Sequence, residues 1–474
     1  MAKKTIHFVS LGCPKNRVDS EVMLGVAERA GYRHVDDPAR ARVIVVNTCG
    51  FIDAAKKESI DTILSLGRHK ESGACQKLVV AGCLSQRHPA ELAAELPEVD
   101  HLLGSSDMLK LERVLTERKV ERVLVGNPAA WVVHAQDPRT LSTRGASAYV
   151  KIAEGCNRKC SFCVIPELRG KQRSRSARDV IEEVKRLADA GVLEVNLVSQ
   201  DTVSWGRDKD SGPSLAELVE RVANVPGLRW VRLFYLYPEK LDRHLLELLA
   251  KHERVVPYID MPLQHAADAM LRRMRRGHGG ARLRELVLRL RETIPNLTFR
   301  TAFIVGHPGE TDAEFEELVE FVRFARFDRM GVFRYSDEES AASHALDGKV
   351  PRQVASRRAR HLMSVQRKIS REKNRALVGR ELDVLVEGPS EESELVFVGR
   401  HAGQAPEIDG QVFLSGAEVA PGQMRRVRVA RATDYDLLGE VVDDLEPEGR
   451  EPASVPVVHR ASDGRRVSLR TLPA

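Results

Sequence analysis

Short apolar runs alternate with amphipathic stretches over residues 1–130 of the chain. Three of these runs have the length and composition of buried strands: Ile6–Ser10, Val43–Asn47 and Leu78–Ala81. The stretch from Val18 to Ala30, which ends before Gly31, predicts a helix with a glycine cap. This alternation predicts an α/β domain in which an open parallel sheet carries helices on both faces.

A second alternation covers residues 147–348, after a polar stretch, 131–146, that predicts a linker. Its strand-like runs are Ala148–Ala153, Glu194–Ser199, Trp230–Tyr235, Val255–Asp260, Leu297–Val305 and Met330–Tyr335. Amphipathic stretches such as Ala177–Ala190 and Ala313–Ala325 lie between them. Six strand–helix units predict a partial (β/α)6 barrel, whose active-site residues would lie on the loops that follow the strands.

The C-terminal part of the chain has a different pattern. Residues 349–377 contain ten Lys or Arg and one acidic residue, and predict a basic helical connector. Residues 378–440 contain short Val- and Leu-rich runs between Gly and Pro, which predict a small β-barrel. Its expected strands are Asp383–Glu387, Leu395–Gly399, Gln411–Leu414 and Arg426–Val429. The tail 441–474, rich in Pro, Glu, Arg and Ser, predicts a partly disordered extension.

Composition adds three points. The chain has 474 residues, 42% hydrophobic and 30% charged, which is typical of a globular protein, and its formal net charge of +6 selects no class of partner. No apolar run approaches the about 18 residues of a membrane span, and the strand at Ile6 leaves no room for a secretory signal, so we expect a cytoplasmic protein. Seven cysteines, an odd number, favour metal or redox chemistry over a disulfide framework.

Three cysteines form a C-x3-C-x2-C motif directly after the first strand of the expected barrel. They are Cys156, Cys160 and Cys163. Thiolates bind the irons of 4Fe–4S clusters, and three of them leave one iron open for another ligand, as a catalytic cluster requires. Zinc is the alternative, but zinc sites usually add a second Cys or His pair downstream, and no such pair follows Cys163.

Three further cysteines each follow an expected strand of the N-terminal domain. They are Cys13, Cys49 and Cys83, at intervals of 36 and 34 residues. Their glycine neighbours are Gly12, Gly50 and Gly82. Loops at the carboxyl ends of parallel strands meet at one edge of the sheet, so these thiols predict a second 4Fe–4S site. Three independent core cysteines are the alternative, and Cys75 receives no role.

The sequence around these cysteines resembles a known family. The motif from Cys156 to Cys163, with Phe162 before its last cysteine, resembles the signature of the radical S-adenosylmethionine (SAM) superfamily. Further runs resemble its methylthiotransferases: Leu11–Glu21, Asn47–Gly50, Gly82–Cys83, Arg169–Arg175, Ser199–Thr202, Pro262–His265 and Ile304–Glu310. The resemblance covers residues 3 to about 440. It implies that SAM at the open iron yields a 5′-deoxyadenosyl radical, and that a second cluster provides sulfur.

The resemblance also implies roles within the barrel. Gln200, Arg300 and the Ile304–Gly306 backbone are expected to lie near SAM. A low-potential electron donor such as a flavodoxin or a ferredoxin is implied as a partner. Two local departures stand out, because His307 replaces the usual aromatic residue and residues 336–340 lack the Gly-Thr pair common in the family.

The C-terminal barrel carries the prediction of substrate. It resembles a TRAM domain, and its segment 399–410 resembles the branch that modifies the β-carbon of an aspartate in small-subunit ribosomal protein 12. From residue 380 to 437 the chain has eleven acidic and six basic residues, a net charge of −5. Such a barrel favours a basic protein partner over RNA, and Glu407 and Asp409 are the expected contacts.

Two alternatives remain open from the sequence. One is the same chemistry on adenosines of transfer RNA, which the basic segments Arg272–Arg276 and 349–377 could contact. The other is a non-catalytic RNA-binding protein with structural or redox-sensing clusters. The open iron implied by the C-x3-C-x2-C motif disfavours the second alternative, because a structural cluster gains from a fourth ligand.

Overall fold

The computed structural model describes residues 4–143, 146–390, 392–393 and 395–442. Most of the expected tail, 443–474, lies outside these residues. The described residues form the three predicted domains, and none of their helices is both long and apolar enough to cross a bilayer.

The N-terminal domain is a parallel sheet with helices on both faces, as predicted. Its strands are β1 (Thr5–Ser10), β2 (Arg33–His34), β3 (Val43–Thr48), β4 (Lys77–Gly82), β5 (His101–Leu103) and β6 (Val123–Leu124). Its helices are α1 (Pro14–Arg29), α2 (Asp53–Gly67), α3 (His69–Ser72), α4 (Cys83–Arg87), α5 (Pro89–Glu95) and α6 (Leu111–Thr116). The strand order is β2-β1-β3-β4-β5-β6, so β1, β3 and β4, the strands before the three cysteines, are neighbours.

Side chains alternate across this sheet, because successive residues of a strand point to opposite faces. Phe8 and Val45 pack with Val22 of α1 on one face. Ile44 packs with Ile63 of α2 on the other face. The strands that the sequence analysis missed, β2, β5 and β6, have only two or three residues, which is too short for a recognisable period.

The central domain is an open barrel of parallel strands in sequential order. Its strands are β7 (Ser147–Lys151), β10 (Glu194–Val198), β11 (Trp230–Leu233), β12 (Val255–Asp260), β13 (Thr298–Val305) and β14 (Arg329–Arg334), and a hairpin of β8 (Ala153–Glu154) and β9 (Arg173–Ser174) stands apart. Its helices are α7 (Ile165–Arg169), α8 (Ala177–Asp189), α9 (Leu215–Ala223), α10 (Arg243–Lys251), α11 (Asp268–Arg273), α12 (Gly280–Thr293) and α13 (Asp312–Ala325). The six main strands confirm the predicted partial barrel.

The basic connector is helix α14 (Arg352–Arg375), which packs against β14 and α13. Part of its charge is neutralised inside the chain. Arg358 forms ion pairs with Glu310 at 2.6 Å and with Asp312 at 2.7 Å. The ammonium group of Lys373 lies 2.5 Å from Asp328. The helix is therefore a structural support of the barrel as well as a basic surface.

The C-terminal domain is a closed barrel. Its strands are β15 (Glu381–Pro389), β16 (Phe397–His401), β17 (Val412–Ser415), β18 (Met424–Ala432) and β19 (Leu437–Val441), in the order β15-β16-β17-β19-β18. The sequence analysis expected four strands and missed β19. This strand pairs in parallel with β17 and antiparallel with β18, and so closes the barrel.

The stretch expected to be a linker is packed against the N-terminal domain. Arg139 forms an ion pair with Glu21 of α1 at 2.6 Å, and the backbone N–H of Ser142 donates to the same carboxylate at 2.9 Å. A Cβ atom on Gly25 of α1 would lie 2.5 Å from the backbone nitrogen of Arg139. The linker can therefore pack this closely against α1 only because residue 25 has no side chain. Arg139 also forms an ion pair with Glu183 of α8, so the linker fixes the first two domains against each other.

One hydrophobic core joins the three domains. It contains Phe8 and Val22 from the N-terminal domain, Tyr149 and Phe234 from the inner wall of the central barrel, and Ala405 from the C-terminal barrel. The open side of the central barrel is therefore covered by the other two domains.

Candidate active site

One set of cysteines lies in the N-terminal domain. Cys13, Cys49 and Cys83 follow β1, β3 and β4, three neighbouring strands whose carboxyl ends meet at one edge. The structure thus brings together the thiols that the sequence places 36 and 34 residues apart. Glycine makes the approach possible, because a Cβ atom on Gly12 would lie 2.8 Å from Cys49 Cβ, and one on Gly82 would lie 2.6 Å from the Thr48 carbonyl oxygen.

The chemistry of this donor set fits an iron–sulfur cluster. Burial, and then repulsion from Cys83 and Cys13, raises the pKa of the Cys49 thiol well above its usual range. Thiolates in such a place require a cation, which iron would provide. In the described part of the chain, no three Cys, His, Asp or Glu side chains converge on a single metal ion. A cubane cluster does not demand that convergence, because each of its thiolates binds a different iron.

The other set, Cys156, Cys160 and Cys163, lies on the loop between β8 and α7. The preceding Gly155 has φ +82°, and a Cβ atom there would lie 2.2 Å from the Lys171 carbonyl oxygen. Burial raises the pKa of Cys156 to about 11 and that of Cys163 to about 12. The Arg276 guanidinium donates to Cys160 Sγ over 3.4 Å, which places a cation beside the sulfur of this loop.

Two of the residues expected near SAM lie beside this loop. Ile304 packs with Phe162, the residue before Cys163. Gln200 donates to the carboxylate of Glu154, two residues before Cys156, while its own side-chain oxygen is buried and has no partner.

The two other residues expected near SAM have firm contacts of their own. Gly306 donates its backbone N–H to Glu310 at 2.5 Å, and a Cβ atom there would lie 2.5 Å from Ala355 Cβ. Arg300 is deeper on the inner wall, where it holds Asp260 at 2.5 Å. Their contact with SAM stays a prediction.

The two local departures from the family pattern have structural explanations. His307 is buried, and its ring packs at 67° against Tyr335 with the centroids 5.1 Å apart, as an aromatic residue would. Glu338, in the segment without Gly-Thr, is buried and forms ion pairs with Arg87 at 2.6 Å and Lys56 at 2.9 Å. This segment therefore ties the central barrel to the N-terminal domain.

A buried network of charges lies between the two cysteine sets. Asp19 accepts from Lys151 at 2.6 Å and from Arg169 at 2.8 Å. Arg169 also donates to the Asn16 side chain at 2.5 Å, and Asn16 in turn neighbours Cys83 Sγ at 3.8 Å. Burial alone would raise the pKa of Glu154, but Lys151 and Arg169 outweigh it and hold the pKa at about 2. The network joins the two cysteine loops through charged groups.

The sequence analysis missed this network of charges. It also missed Lys15, a further buried cation. The signal for Lys151 was present, because a lysine interrupts an otherwise apolar strand. Lys15 lies two residues after Cys13 and is buried, with its ammonium group 3.4 Å from the centroid of the Tyr235 ring. Cys75 packs in the core of the N-terminal domain, consistent with no role at the site.

The placement of Glu407 and Asp409 corrects the sequence analysis. Asp409 accepts from the Tyr258 hydroxyl at 2.7 Å, and its side chain is 2% exposed. Glu407 forms an ion pair with Arg17 of α1 at 2.9 Å. Both carboxylates are used inside the chain, because their turn lies against the inner wall of the central barrel. Asp409 is closed to solvent in this structure, and the role of Glu407 as a partner contact stays a prediction.

Comparison with known proteins gives each domain a family. The matching family models are described as uncharacterized protein family UPF0004 over residues 5–104, radical SAM superfamily over 150–322, and TRAM domain over 378–442. The chain is also 67% identical to ribosomal protein uS12 methylthiotransferase RimO of Sorangium cellulosum (strain So ce56), over 100% of this chain and 98% of that protein. The chain belongs to the RimO family.

Other RimO family members are similar over nearly the same length. The protein of the same name from Myxococcus xanthus (strain DK1622) is 47% identical over 96% of both chains. Among solved structures, the radical SAM methyltransferase TsrM from Kitasatospora setae has a TM-score of 0.50 at 15% identity, over 70% of this chain and 75% of that chain. That likeness concerns the fold. Membership in the RimO family and the radical SAM superfamily makes the chain a radical SAM methylthiotransferase with a 4Fe–4S cluster and SAM as cofactors.

Proposed function

We propose that the chain methylthiolates ribosomal protein uS12 on the β-carbon of an aspartate. The observation that carries this proposal is the 67% identity to a uS12 methylthiotransferase along the whole chain. It favours the ribosomal protein over transfer RNA, the alternative substrate. It also disfavours a non-catalytic RNA-binding protein.

The second 4Fe–4S cluster is part of the proposal, with Cys13, Cys49 and Cys83 as its ligands and Cys156, Cys160 and Cys163 as those of the first. The two cysteine sets lie close together, because Cys83 shares an apolar cluster with Val164, the residue after Cys163. This proximity supports two clusters that act in one reaction. When bound, the first cluster and one SAM supply a 5′-deoxyadenosyl radical, the second cluster supplies sulfur, and another SAM supplies the methyl group.

The protein's own residues would bind the cofactors and exclude water. Gln200, Arg300, Ile304 and Gly306 would contact SAM. The C-terminal barrel covers the inner wall, where Tyr149 donates to the Pro406 carbonyl oxygen at 3.1 Å. Such closure matters because a radical in contact with bulk water or other reagents is lost to side reactions.

A flavodoxin or a ferredoxin would reduce the first cluster. The exposed residues Arg272, Arg273 and Arg275 support an acidic donor, because their segment contacts the cysteine loop through a hydrogen bond from Ser161 N–H to the Met274 carbonyl oxygen at 3.1 Å. A ribosomal substrate supports the cytoplasm as the place of the reaction.

The test is anaerobic reconstitution of the full chain with iron and sulfide, followed by reaction with SAM and a reductant. Two substrates would be offered separately: a peptide of the uS12 loop that contains the aspartate, and bulk transfer RNA. We expect 5′-deoxyadenosine, and mass spectrometry should find a methylthio group in place of one hydrogen on the peptide aspartate. Modification of transfer RNA without modification of the peptide would overturn the proposal.

A further inference from the structure

Lys15 is a cation that lies inside the protein and not at its surface. The residue belongs to helix α1 and is 4% exposed. Among the residues that the structure describes, no carboxylate lies within ion-pair distance of its ammonium group. The group lies instead over the ring of Tyr235, 3.4 Å from the centroid. Lysine is almost never fully buried unless it is paired, so this arrangement requires an explanation.

Three other buried cations of the same interior each have a carboxylate. Lys151 lies 2.6 Å from Asp19, and Arg300 lies 2.5 Å from Asp260. Arg232 lies 3.0 Å from Glu194. The interior thus provides acids where the fold alone needs them, and Lys15 differs from these neighbours in having its charge available to a ligand.

The surroundings of Lys15 place it between the two functional parts of the site. It follows Cys13, a ligand of the proposed second cluster, by two residues. Tyr235 lies just after β11 and has a positive φ of 57°, a conformation that a non-glycine residue rarely adopts. Its backbone N–H donates to Asp260 at 3.0 Å, and Asp260 holds Arg300. The ring beneath Lys15 is thereby fixed to the wall that carries an expected SAM contact.

We propose that Lys15 binds the side-chain carboxylate of the aspartate that is modified, and so selects aspartate as the substrate. This inference rests on the proposed function. The carboxylate carbon is bonded directly to the β-carbon, so a cation that holds the carboxylate also fixes the carbon that loses hydrogen and gains sulfur. An adenosine offers no carboxylate to this cation. The competing role, in which Lys15 only balances the charge of the cluster at Cys13, is an outcome of the test.

The test is a double-mutant cycle between enzyme and substrate on the reconstituted full chain. The enzymes are wild type, Lys15→Met and Lys15→Arg, and the uS12 loop peptides carry either Asp or Asn at the modified position. Dissociation constants would be measured by fluorescence anisotropy. We expect wild type to bind the Asp peptide about tenfold or more tightly than the Asn peptide, as a hydrogen bond to a charged group implies. Lys15→Met should lose the preference and Lys15→Arg should keep part of it.

Two controls separate the possible failures. Lys57→Met removes an exposed lysine from helix α2 and should leave the preference for Asp unchanged. Iron content and the reduction potential of the second cluster report the competing role. A change in either of them with an unchanged Asp preference in Lys15→Met would overturn the inference.

The remaining outcomes also decide between the two proposals. If wild type itself shows no preference for Asp, the inference is wrong whether or not the variants fold. If wild type neither binds nor modifies the uS12 peptide, the proposed function fails first. If wild type modifies the peptide and Lys15→Met keeps the preference, only the role of Lys15 fails.

Discussion

Asp19 and Lys151 form an ion pair that is closed to solvent, with Oδ1 and Nζ 2.6 Å apart and both side chains 0% exposed. Asp19 belongs to helix α1 of the N-terminal domain, and Lys151 ends strand β7 of the central barrel. Arg169, which ends helix α7 after the loop of Cys156, Cys160 and Cys163, shares the same carboxylate. One aspartate therefore holds together the two domains that carry the cysteine sets.

Replacing Asp19 should destabilise the protein strongly. In Asp19→Ala, Lys151 and Arg169 lose a buried partner, and breaking a buried pair in this way lowers the free energy of unfolding by about 3–5 kcal/mol. Urea unfolding measures the change. Asp61→Ala, which breaks the exposed pair of Lys57 and Asp61, is the control and should lower it by less than about 1 kcal/mol. Equal effects of the two variants would contradict the role of the buried pair.

Gly82 should resist substitution, because it lies beside the N-terminal cysteine set. It has φ +97°, and a Cβ atom there would lie 2.3 Å from Asn47 Oδ1, so Gly82→Ala must displace the end of strand β3, which precedes Cys49. We expect loss of about half the bound iron, since the other cluster has its own thiolates. Gly191→Ala is a matched control, because Gly191 has φ +92° with nothing within 4 Å. It should destabilise by about 1–2 kcal/mol and keep its iron. Full iron in Gly82→Ala would disprove the prediction.

The two clusters should be separable by mutation. Replacement of Cys156, Cys160 and Cys163 together by Ala should leave about half of the iron, because each cluster is held by its own thiolates. Formation of 5′-deoxyadenosine from SAM should be abolished. Iron analysis and chromatography measure the two effects. Complete loss of iron from the triple variant would mean that the N-terminal site does not form independently.

Cys49→Ala should produce the opposite result. Cys49 lies in the N-terminal domain and is not on the loop that carries the ligands of the first cluster. We therefore expect 5′-deoxyadenosine to form at a rate close to that of wild type, while no methylthio group is added to the uS12 peptide. Cys75→Ala, in the core of the same domain, is the control and should retain both activities. A normal yield of methylthiolated peptide from Cys49→Ala would rule out this assignment.

His401 should make stability depend on pH. Burial, and then the charges of Arg329, Arg232 and Arg400, lowers the pKa of His401 to about 3. In the unfolded chain the pKa of histidine is about 6.5, so between these values the unfolded state binds a proton that the folded state does not. Stability therefore falls as the pH falls below about 6.5.

The variant His401→Asn keeps an acceptor for the Gly403 N–H, which His401 Nδ1 accepts at 3.1 Å. Between pH 7 and pH 5 the thermal midpoint of His401→Asn should fall less than that of wild type. His361→Asn, at an exposed position on α14, should follow wild type. Parallel curves for all three proteins would show that His401 does not contribute.

The sequence predicts the cysteine sets well because a local pattern decides their position. Val43–Asn47 is an apolar run of strand length, and Cys49 must follow its carboxyl end in any parallel sheet. Strand β12 was predicted with its observed bounds, Val255–Asp260, for the same reason. Where a run of apolar residues alone determines a strand, the sequence is sufficient to predict the position of that strand.

The errors occur where residues distant in the sequence determine how a position is packed. Asp409 lies in a polar turn that is typical of the surface, but Tyr258, 151 residues earlier, gives it a buried partner. Strand β19 was missed because its burial alternates but its residue types do not, since Leu438 is exposed and Gly439 is buried. That glycine is required by packing, since a Cβ atom there would lie 2.3 Å from Val427 Cγ1. The pattern of apolar residues along the strand does not reveal this packing.

The turn that carries Asp409 has a consequence for the order in which the chain is made. Arg400 reaches Glu194 at 2.6 Å, and the Ala402 carbonyl oxygen accepts from Arg232 at 2.9 Å, so these two residues of the inner wall take partners that are translated 206 and 170 positions later. Before those partners are made, Arg232 and Glu194 can form an ion pair only with each other. The C-terminal barrel can therefore cover the inner wall only after translation has passed residue 409, and assembly of the interior ends with that barrel.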